Sequence, residues 1–171
     1  MADVLTPEQR QLNMSRIKGK DTKPEMLVRR GLHVRGLRYR LHDRSLPGRP
    51  DLVFPKYNTA VFIHGCFWHA HGCVMSKLPA TRQDFWKAKL SANAARDRKA
   101  VEALRADGWR VLIIWECALH GPQRWTEDAV LDRAANFIQF SGLPLLDIAA
   151  QQPSAVMHAK TSHGGKRTWK Q

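Results

Sequence analysis

The sequence is poor in cysteine and in acidic residues, and it contains no long apolar run. Its three cysteines are an odd number, so reduced thiols are expected rather than a disulfide framework. The opening stretch, MADVLTPEQRQ, has no apolar segment of the kind found in signal peptides, and no apolar run approaches the length that spans a membrane. These features predict a cytoplasmic protein. No predicted helix combines a Lys/Arg face with a bulky apolar face, which argues against binding to a membrane surface.

The shortage of acidic residues leaves a large positive charge. Lys and Arg number 28 against 15 Asp and Glu, which gives a formal net charge of +13 and a pI near 10.3. Such a balance points to a polyanionic partner. A basic protein without such a partner is the alternative, but here the charge accompanies six tryptophans and a group of Cys and His residues typical of metal binding. The sequence therefore favours nucleic acid as the partner.

The chain is long enough for one domain with a core, and it contains no internal repeats. We expect a flexible basic arm or short helix at 1–20, an α/β domain at 21–140 and a basic, disordered tail at 141–171. The predicted elements are a helix at 22–35 capped by Thr22, an alternating strand at 37–41, strands at 52–54 and 60–63, a long helix at 81–107 capped by Thr81, a strand at 110–115 and a helix at 126–140. A buried strand, a long helix and a second buried strand imply a right-handed crossover between parallel neighbours.

The stretch PDLVFPKYNTAVFIHGCFWHAHGC, residues 50–73, carries most of the chemistry. Cys66 and Cys73 lie in the loop after the second apolar run, and Cys117 follows the strand that should lie beside that run. Three thiolates and one imidazole would close a tetrahedral zinc site with no open position, which is typical of a structural zinc. Spacing leaves the histidine open, since the loop contains more than one candidate: His64, His69 and His71. The alternative is three small buried thiols, a common fate of free cysteine.

Asp51 stands at the start of a predicted strand that turns back into a second strand. A carboxylate in that position suits Mg²⁺, which prefers oxygen ligands and is usually completed by water and substrate phosphates. Phosphodiester hydrolysis needs such an ion. The alternative is a Pro-Asp turn in which the carboxylate only caps backbone amides.

Other residues carry two interpretations as well. Phe67 and Trp68 lie in a Gly-flanked loop with little to pack against, whereas Trp86 begins the apolar stripe of the long helix and also suits the core. Asp97 is a carboxylate on that same stripe. Glu25 fits a capping box with Thr22.

Several long motifs resemble one known family. Leu46-Pro-Gly-Arg-Pro-Asp-Leu-Val53, His64-Gly-Cys-Phe-Trp-His69, Pro79-Ala-Thr-Arg82 and Gly108-Trp-Arg-Val-Leu-Ile-Ile-Trp-Glu-Cys-Ala118 resemble the very-short-patch-repair (Vsr) DNA mismatch endonucleases. The resemblance covers roughly residues 11–140. It implies an α/β, restriction-endonuclease-like core with a mixed β-sheet flanked by helices and a structural zinc loop. It also implies nicking of duplex DNA 5′ to the thymine of a T·G mismatch left by deamination of 5-methylcytosine.

The resemblance also implies roles for individual residues at the reaction centre. Asp51 would be the principal Mg²⁺ ligand, and His69 the general acid/base, a role for which an imidazole is suited near neutral pH. His64 would hold water or phosphate nearby, and Asp97 would orient His69. Glu25 matches an active-site carboxylate of the family, although a cap alone would also explain it.

The same resemblance assigns the zinc ligands and the residues that enter DNA. The zinc ligands would be Cys66, His71, Cys73 and Cys117, and the aromatic wedge beside the mismatch would be Phe67, Trp68 and Trp86. The chain departs from the family at Ile63, where a small hydroxylic residue is frequent. The change is harmless if that position binds Mg²⁺ through its backbone carbonyl.

Two rival functions remain at this point: a restriction-type nuclease that cuts both strands of matched duplex DNA, and a zinc-braced DNA-binding protein without catalysis. We expect a monomer that is cytoplasmic and nucleoid-associated in a bacterium. Contacts with general mismatch-repair proteins are a further expectation from the family, and no residue here identifies them. The flanking bases and the role of the basic tail stay open.

Overall fold

A five-stranded sheet runs through the centre of the chain. A computed structural model describes residues 19–151 together with positions 6, 8, 9, 12 and 15. The strands are β1 (Arg40–Leu41), β2 (Leu52–Phe54), β3 (Thr59–His64), β4 (Arg110–Trp115) and β5 (Leu145–Ile148). The helices are α1 (Lys23–Val34), α2 (Gln83–Ala106), α3 (Glu116–Leu119) and α4 (Glu127–Phe140), with a 3₁₀ turn at Pro55–Tyr57.

The order of the strands in the sheet follows the chain, β1-β2-β3-β4-β5. β1, β2 and β3 are antiparallel neighbours, whereas β3, β4 and β5 run parallel. The predicted parallel crossover through the long helix is therefore confirmed, with Val61 opposite Leu112. Because β3 and β4 run in the same direction, their carboxyl ends meet at one edge, with His64 opposite Trp115. The Cys/His loop leaves the sheet at that edge.

Helices cover both faces of the sheet. Alternate residues of β4 enter two separate cores: Leu112 and Ile114 pack under α1 and α4, and Val111 and Ile113 pack with residues of α2. A side chain of this size contributes about 1.5–3 kcal/mol when fully buried. The uninterrupted apolar run of β4 predicted this two-sided burial. α1 and α4 lie so close together that a Cβ at Gly31 would meet Leu131 Cδ1 at 2.3 Å.

Several predicted boundaries are confirmed and two details are wrong. Thr22 caps α1 and Thr126 caps α4, each accepting a bond from a backbone N–H. The N-cap of α2 is Arg82 rather than Thr81, because Arg82 adopts the left-handed conformation at φ 54°. The predicted strand at 37–41 pairs only at Arg40–Leu41.

The disordered tail predicted for 141–171 is wrong over its first part. β5 pairs with β4 along its length, and Ile148 is buried. Its four residues are too short to give a periodic signal, and the pairing partner that stabilises them is remote in sequence. The rest of that tail, beyond Gln151, and most of the predicted arm at 1–20 lie outside the described residues. None of the described helices is long and apolar enough to cross a membrane.

Candidate active site and metal centre

A cleft of about 1050 Å³ collects the predicted reaction-centre residues from distant parts of the chain. Its lining includes Glu25 from α1, Asp51 before β2, His64 at the end of β3, His69 in the following loop and Asp97 from α2. Their separation in sequence is closed by the antiparallel pairing of β2 with β3 and by the return of α2 over the sheet. All five proposed groups therefore face one open space.

The Asp51 carboxyl is partly buried, with 22% of its side chain exposed, and is held by a neighbouring strand. Its Oδ2 accepts a 2.7 Å hydrogen bond from the backbone N–H of Ile63, so it does not form the local turn considered as the alternative. Burial raises the pKa of Asp51 to about 6, against the effect of the Ile63 amide, and the charge of Glu25 raises it further. A partly buried carboxylate with one oxygen not held by the Ile63 amide fits a hard cation, which would favour its ionised form.

Ile63 offers its backbone rather than its side chain to this region. The side chain packs against the core beneath α1 and α4, while the neighbouring Phe62 packs on the opposite side. The peptide N–H of Ile63 already contacts Asp51. An isoleucine here is therefore compatible with a ligand role for the backbone carbonyl of residue 63.

His69 and Asp97 form a pair at the base of the cleft. His69 Nδ1 lies 2.6 Å from Asp97 Oδ2. Burial acts to raise the pKa of Asp97, but the hydrogen bond and the charge of His69 hold that pKa below its ordinary value. An ionised Asp97 requires the proton of His69 to be on Nδ1, which leaves Nε2 as the nitrogen for proton transfer.

His64 stacks on His69, with ring centroids 3.8 Å apart and planes 3° from parallel. Burial, together with the charge of His69, lowers the pKa of His64 to about 3, so His64 is neutral under ordinary conditions. Its Nδ1 is buried and has no hydrogen-bond partner among the described residues. A neutral imidazole with an unsatisfied nitrogen suits a water or a phosphate in the cleft.

Glu25 does more than cap α1. The Thr22 side chain accepts from the N–H of Glu25, but the Glu25 carboxylate accepts from Asp21 N–H at 2.7 Å rather than from the cap residue. It also lies 3.3 Å from Arg29 Nη1 and 3.2 Å from His42 Nε2. The carboxylate is buried on the cleft wall, close enough to raise the pKa of Asp51.

Four donor atoms converge in the loop after β3. One atom from each residue lies within 4.8 Å of the others, and the residues are the predicted set: Cys66, His71, Cys73 and Cys117. Cys117 Sγ is 3.5 Å from His71 Nδ1. Such spacing fits a tetrahedral zinc with bonds of about 2.0–2.3 Å. Of the three candidate histidines, His71 lies with the three cysteines, whereas His64 and His69 line the cleft.

The chemistry of the four donors also fits zinc. Burial raises the pKa of the Cys66 and Cys117 thiols, so thiolates there need a nearby cation. Burial lowers the pKa of His71, which favours the neutral imidazole that binds metals. The backbone N–H of Cys117 donates to Cys66 Sγ and that of Ala150 donates to Cys117 Sγ, both at 3.3 Å. Such second contacts orient the ligands of a metal.

An aromatic cluster lies beside the cleft. Trp86 contacts Phe67 and Trp68, with ring centroids 5.3 Å and 6.0 Å away, and all three rings are only partly buried. None of them belongs to the two buried cores. Trp86 therefore faces the same surface as Phe67 and Trp68, which favours the wedge over the core alternative.

Three residues that the sequence did not single out also belong to this region. His42 lies between Glu25 and Asp51. Glu116 accepts from the N–H of Cys66 at 3.3 Å, and Asn93 donates to the carbonyl of Trp68 at 3.0 Å. Their positions in the predicted elements could have identified two of them. The strand pairing places His42 next to Asp51, and helical spacing places Asn93 on the same face as Asp97, four residues earlier.

Comparison with known proteins agrees with this geometry. The family model described as DNA mismatch endonuclease Vsr matches residues 2–75. The chain is 46% identical to the DNA mismatch endonuclease Vsr of Escherichia coli (strain K12) over 138 residues, covering 81% of this chain and 88% of that protein. It is 50% identical to the type II nicking enzyme V.XorIIP of Xanthomonas oryzae pv. oryzae over 119 residues, which cover 70% and 88% of the two chains. With V.NmeAIP, a type II nicking enzyme of Neisseria meningitidis serogroup A, it shares 44% identity over 119 residues, 70% and 85% of the chains.

Proposed function

Because the chain belongs to the Vsr family of DNA mismatch endonucleases and is a DNA endonuclease, we propose that it nicks one strand of duplex DNA at a T·G mismatch. The nick falls 5′ to the thymine that deamination of 5-methylcytosine leaves behind, and the reaction requires Mg²⁺. The observation that carries this proposal is the hydrogen-bonded His69–Asp97 pair in the same cleft as the partly buried carboxyl of Asp51.

Asp51 and the backbone carbonyl of Ile63 would hold the Mg²⁺ ion. When bound, the ion supplies positive charge at the scissile phosphate and favours the ionised form of Asp51. Few protein ligands are required, since water and phosphate oxygens complete the shell of Mg²⁺ in most enzyme sites. The open volume of the cleft leaves room for them.

His69 is the general acid/base. Asp97 fixes the ring through Nδ1, so Nε2 takes a proton from the attacking water or returns one to the leaving oxygen. His64, stacked on His69, stays neutral and adds no competing positive charge. Its buried and unpartnered Nδ1 is the position where a water or a phosphate oxygen would be held.

A structural Zn²⁺ is proposed at Cys66, His71, Cys73 and Cys117. All four donors are needed for a closed site, so this ion takes no part in the reaction. The loop that it would brace carries Phe67, Trp68 and His69 between two of the proposed ligands, Cys66 and His71. Zinc therefore links the position of the wedge to the position of the general acid/base.

Phe67, Trp68 and Trp86 enter the base stack at the mismatch. Insertion costs a few kcal/mol of unstacking, and this cost is smallest where a mispair has already weakened the stack. The aromatic cluster lies beside the cleft and its rings are partly exposed. Insertion thus selects the T·G site before the backbone is cut.

The cleft needs residues from one chain only, so we propose that the protein acts as a monomer on duplex DNA. Its place would be the bacterial cytoplasm, in association with the nucleoid. Membership of the family is the basis for proposing contact with general mismatch-repair proteins.

The test is a comparison of end-labelled duplexes with a T·G mispair and with the matched pair, with and without Mg²⁺. We expect nicking of the T·G duplex only. The nicking should depend on Mg²⁺ and should be lost in Asp51→Asn. Equal cutting of both strands of the matched duplex would favour a restriction-type nuclease. Tight binding without any cleavage would favour a non-catalytic DNA-binding protein.

A further inference from the structure

His42 lies between two carboxylates of the cleft, the buried Glu25 and the partly buried Asp51. Its Nε2 is 3.2 Å from Glu25 Oε1, within ion-pair distance but without the geometry of a hydrogen bond, and its Nδ1 is 3.8 Å from Asp51 Oδ1. The backbone N–H of His42 also donates to the carbonyl of Asp51 at 3.2 Å. His42 is therefore connected to residue 51 through both its main chain and its ring.

The backbone of His42 is strained in a way that serves this placement. Its φ is +47°, in the left-handed region, and Asp21, which donates to the same Glu25 carboxylate, has a φ of +54°. A left-handed conformation is unfavourable for a non-glycine residue, and such residues concentrate at functional sites. Two strained residues thus converge on one carboxylate in the wall of the cleft.

The Asp51 and Glu25 carboxylates also have contacts with groups other than the His42 ring. Asp51 Oδ2 is committed to the N–H of Ile63, so Oδ1, the oxygen nearest His42, is the one that remains for a cation. The Glu25 carboxylate is committed to Arg29 and to Asp21 N–H. Like charges this close repel each other, and the His42 ring is the group that contacts both.

We propose that His42 is a positioning residue for the divalent-ion site, holding the Asp51 carboxylate toward the cleft and keeping Glu25 on the cleft wall. The inference rests on the proposed binding of a divalent ion at Asp51. A ligand that is already oriented binds its ion more tightly, because less ordering is needed on binding. Loss of the ring contacts should therefore weaken ion binding more than it slows the reaction once the ion is bound.

Two replacements of His42 by residues of similar size distinguish the effect of its polar contacts from the effect of its volume. His42→Gln keeps a polar group beside both carboxylates, whereas His42→Leu fills the same space without any polar atom. Binding of Mn²⁺, which replaces Mg²⁺ at oxygen sites and is detected by electron paramagnetic resonance, is measured with the protein alone and with a T·G duplex. We expect His42→Leu to raise the Kd for Mn²⁺ at least about fivefold and His42→Gln to change it less than about twofold.

The nicking assay adds a second readout that a merely structural role would not reproduce. In His42→Leu the Mg²⁺ concentration for half-maximal rate should rise by a similar factor, while the rate at saturating Mg²⁺ stays within about threefold. His33→Ala is the matched control, since His33 is exposed on α1 and is not among the residues that line the cleft. Thermal unfolding checks that each variant is folded; if His42→Leu is not, His42→Ala replaces it.

Equal Mn²⁺ affinity in His42→Leu, His42→Gln and the parent protein would overturn the inference, and so would tighter binding in His42→Leu. A parent protein that binds no Mn²⁺, with or without DNA, would overturn it together with the Mg²⁺ assignment at Asp51. If Mn²⁺ binding follows the expected order but the T·G duplex is not nicked, the proposed function fails and the role of His42 at the ion site stands.

Discussion

Among the individual residues, Asp51 occupies a position that disfavours the ionised form of its side chain. Burial and the nearby Glu25 raise its pKa from 3.8 to about 6, while the Ile63 amide offsets only part of that effect. In the absence of a divalent ion, the ionised side chain therefore destabilises the folded protein at neutral pH. The proposed role in Mg²⁺ binding and the stability of the fold therefore have opposite requirements at this position, as is frequent at active sites.

The first prediction follows from the sign of this shift. A folded-state pKa above the unfolded value means that the native protein binds more protons between pH 3.8 and about 6, so the contribution of Asp51 to stability falls as the pH rises through that window. Asp51→Asn removes the charge and keeps an acceptor for the Ile63 N–H. In Mg²⁺-free buffer at pH 7.5 it should raise the free energy of unfolding by about 2–3 kcal/mol while abolishing nicking.

The measurement is urea unfolding of zinc-loaded protein at two pH values. The gain should shrink to about 1 kcal/mol at pH 4.5, because Asp51 is then mostly protonated in the folded parent protein. His64, whose lowered pKa makes stability fall as the pH drops below 6.5, affects both proteins equally and cancels in the difference. A variant less stable than the parent protein at pH 7.5 would show that the charge of Asp51 does not destabilise the folded protein.

A second prediction concerns the His69–Asp97 pair. His69→Ala removes the proton-transfer group and should lower the single-turnover nicking rate by about 10²–10⁴-fold. Asp97→Asn keeps a neighbour for Nδ1 but can stabilise the wrong tautomer, so a smaller loss, about 10–10²-fold, is expected. Gel-shift affinity for the T·G duplex should stay within about threefold in both variants. Unchanged turnover in His69→Ala would remove this residue from the mechanism.

Among the secondary-structure elements, β5 and the residues just after it contact both the sheet, through β4, and the group of proposed zinc ligands, through Cys117. Ile148 is buried in the core under α1 and α4, and the next turn of chain brings the N–H of Ala150 to Cys117 Sγ. The edge strand thus supports a proposed zinc ligand that lies 33 residues away in sequence. β5 does not contribute a ligand itself, but it would help to orient the Cys117 sulfur.

This arrangement predicts a double effect for Ile148→Ala. The cavity should cost about 2–4 kcal/mol in the free energy of unfolding, measured by urea denaturation. Zinc should also be released faster to a colorimetric chelator, because the support of Cys117 Sγ loosens. Leu143→Ala is the matched control: Leu143 lies just before β5 and is 56% exposed, so stability should change by less than about 0.5 kcal/mol. Equal zinc release in Ile148→Ala and the parent protein would contradict the link between β5 and the metal.

The elements also mark the limit of what the sequence predicts. The long buried strand β4, the helix α2 and the caps of α1 and α4 follow from local patterns, and Asp97 stood out as a carboxylate on an apolar stripe. β5 and the N-cap at Arg82 did not follow, since one depends on pairing with a remote strand and the other on a strained backbone. His42 and Glu116 were missed for a similar reason: only the strand pairing brings them to the cleft.

At the scale of the whole molecule, the charge of +13 and the aromatic cluster have separable effects on DNA binding. Affinity from phosphate contacts falls steeply with salt and is the same for matched and mismatched DNA. In the proposed mechanism, preference for the mismatch comes from insertion of uncharged rings, which changes little with salt. The family accounts for the enzyme class, and the proposed insertion would account for the choice of site.

The corresponding prediction uses two phenylalanines in different surroundings. Phe67→Ala should lower the ratio of T·G to matched-duplex affinity by about tenfold, equivalent to roughly 1–3 kcal/mol of lost stacking, and leave the salt dependence unchanged. Phe140→Ala is the control, because Phe140 is 78% exposed at the end of α4. Affinities are measured by fluorescence anisotropy at several salt concentrations. A Phe67→Ala variant that keeps the full mismatch preference would rule out this ring as part of the wedge.

The most direct test of strand-specific nicking at the cleft is mapping of the product at nucleotide resolution, with each strand of a T·G duplex labelled in turn. We predict a single Mg²⁺-dependent break in the thymine strand, immediately 5′ to the mispaired thymine, and an intact guanine strand. Breaks in both strands, or the same break in a matched duplex, would contradict it.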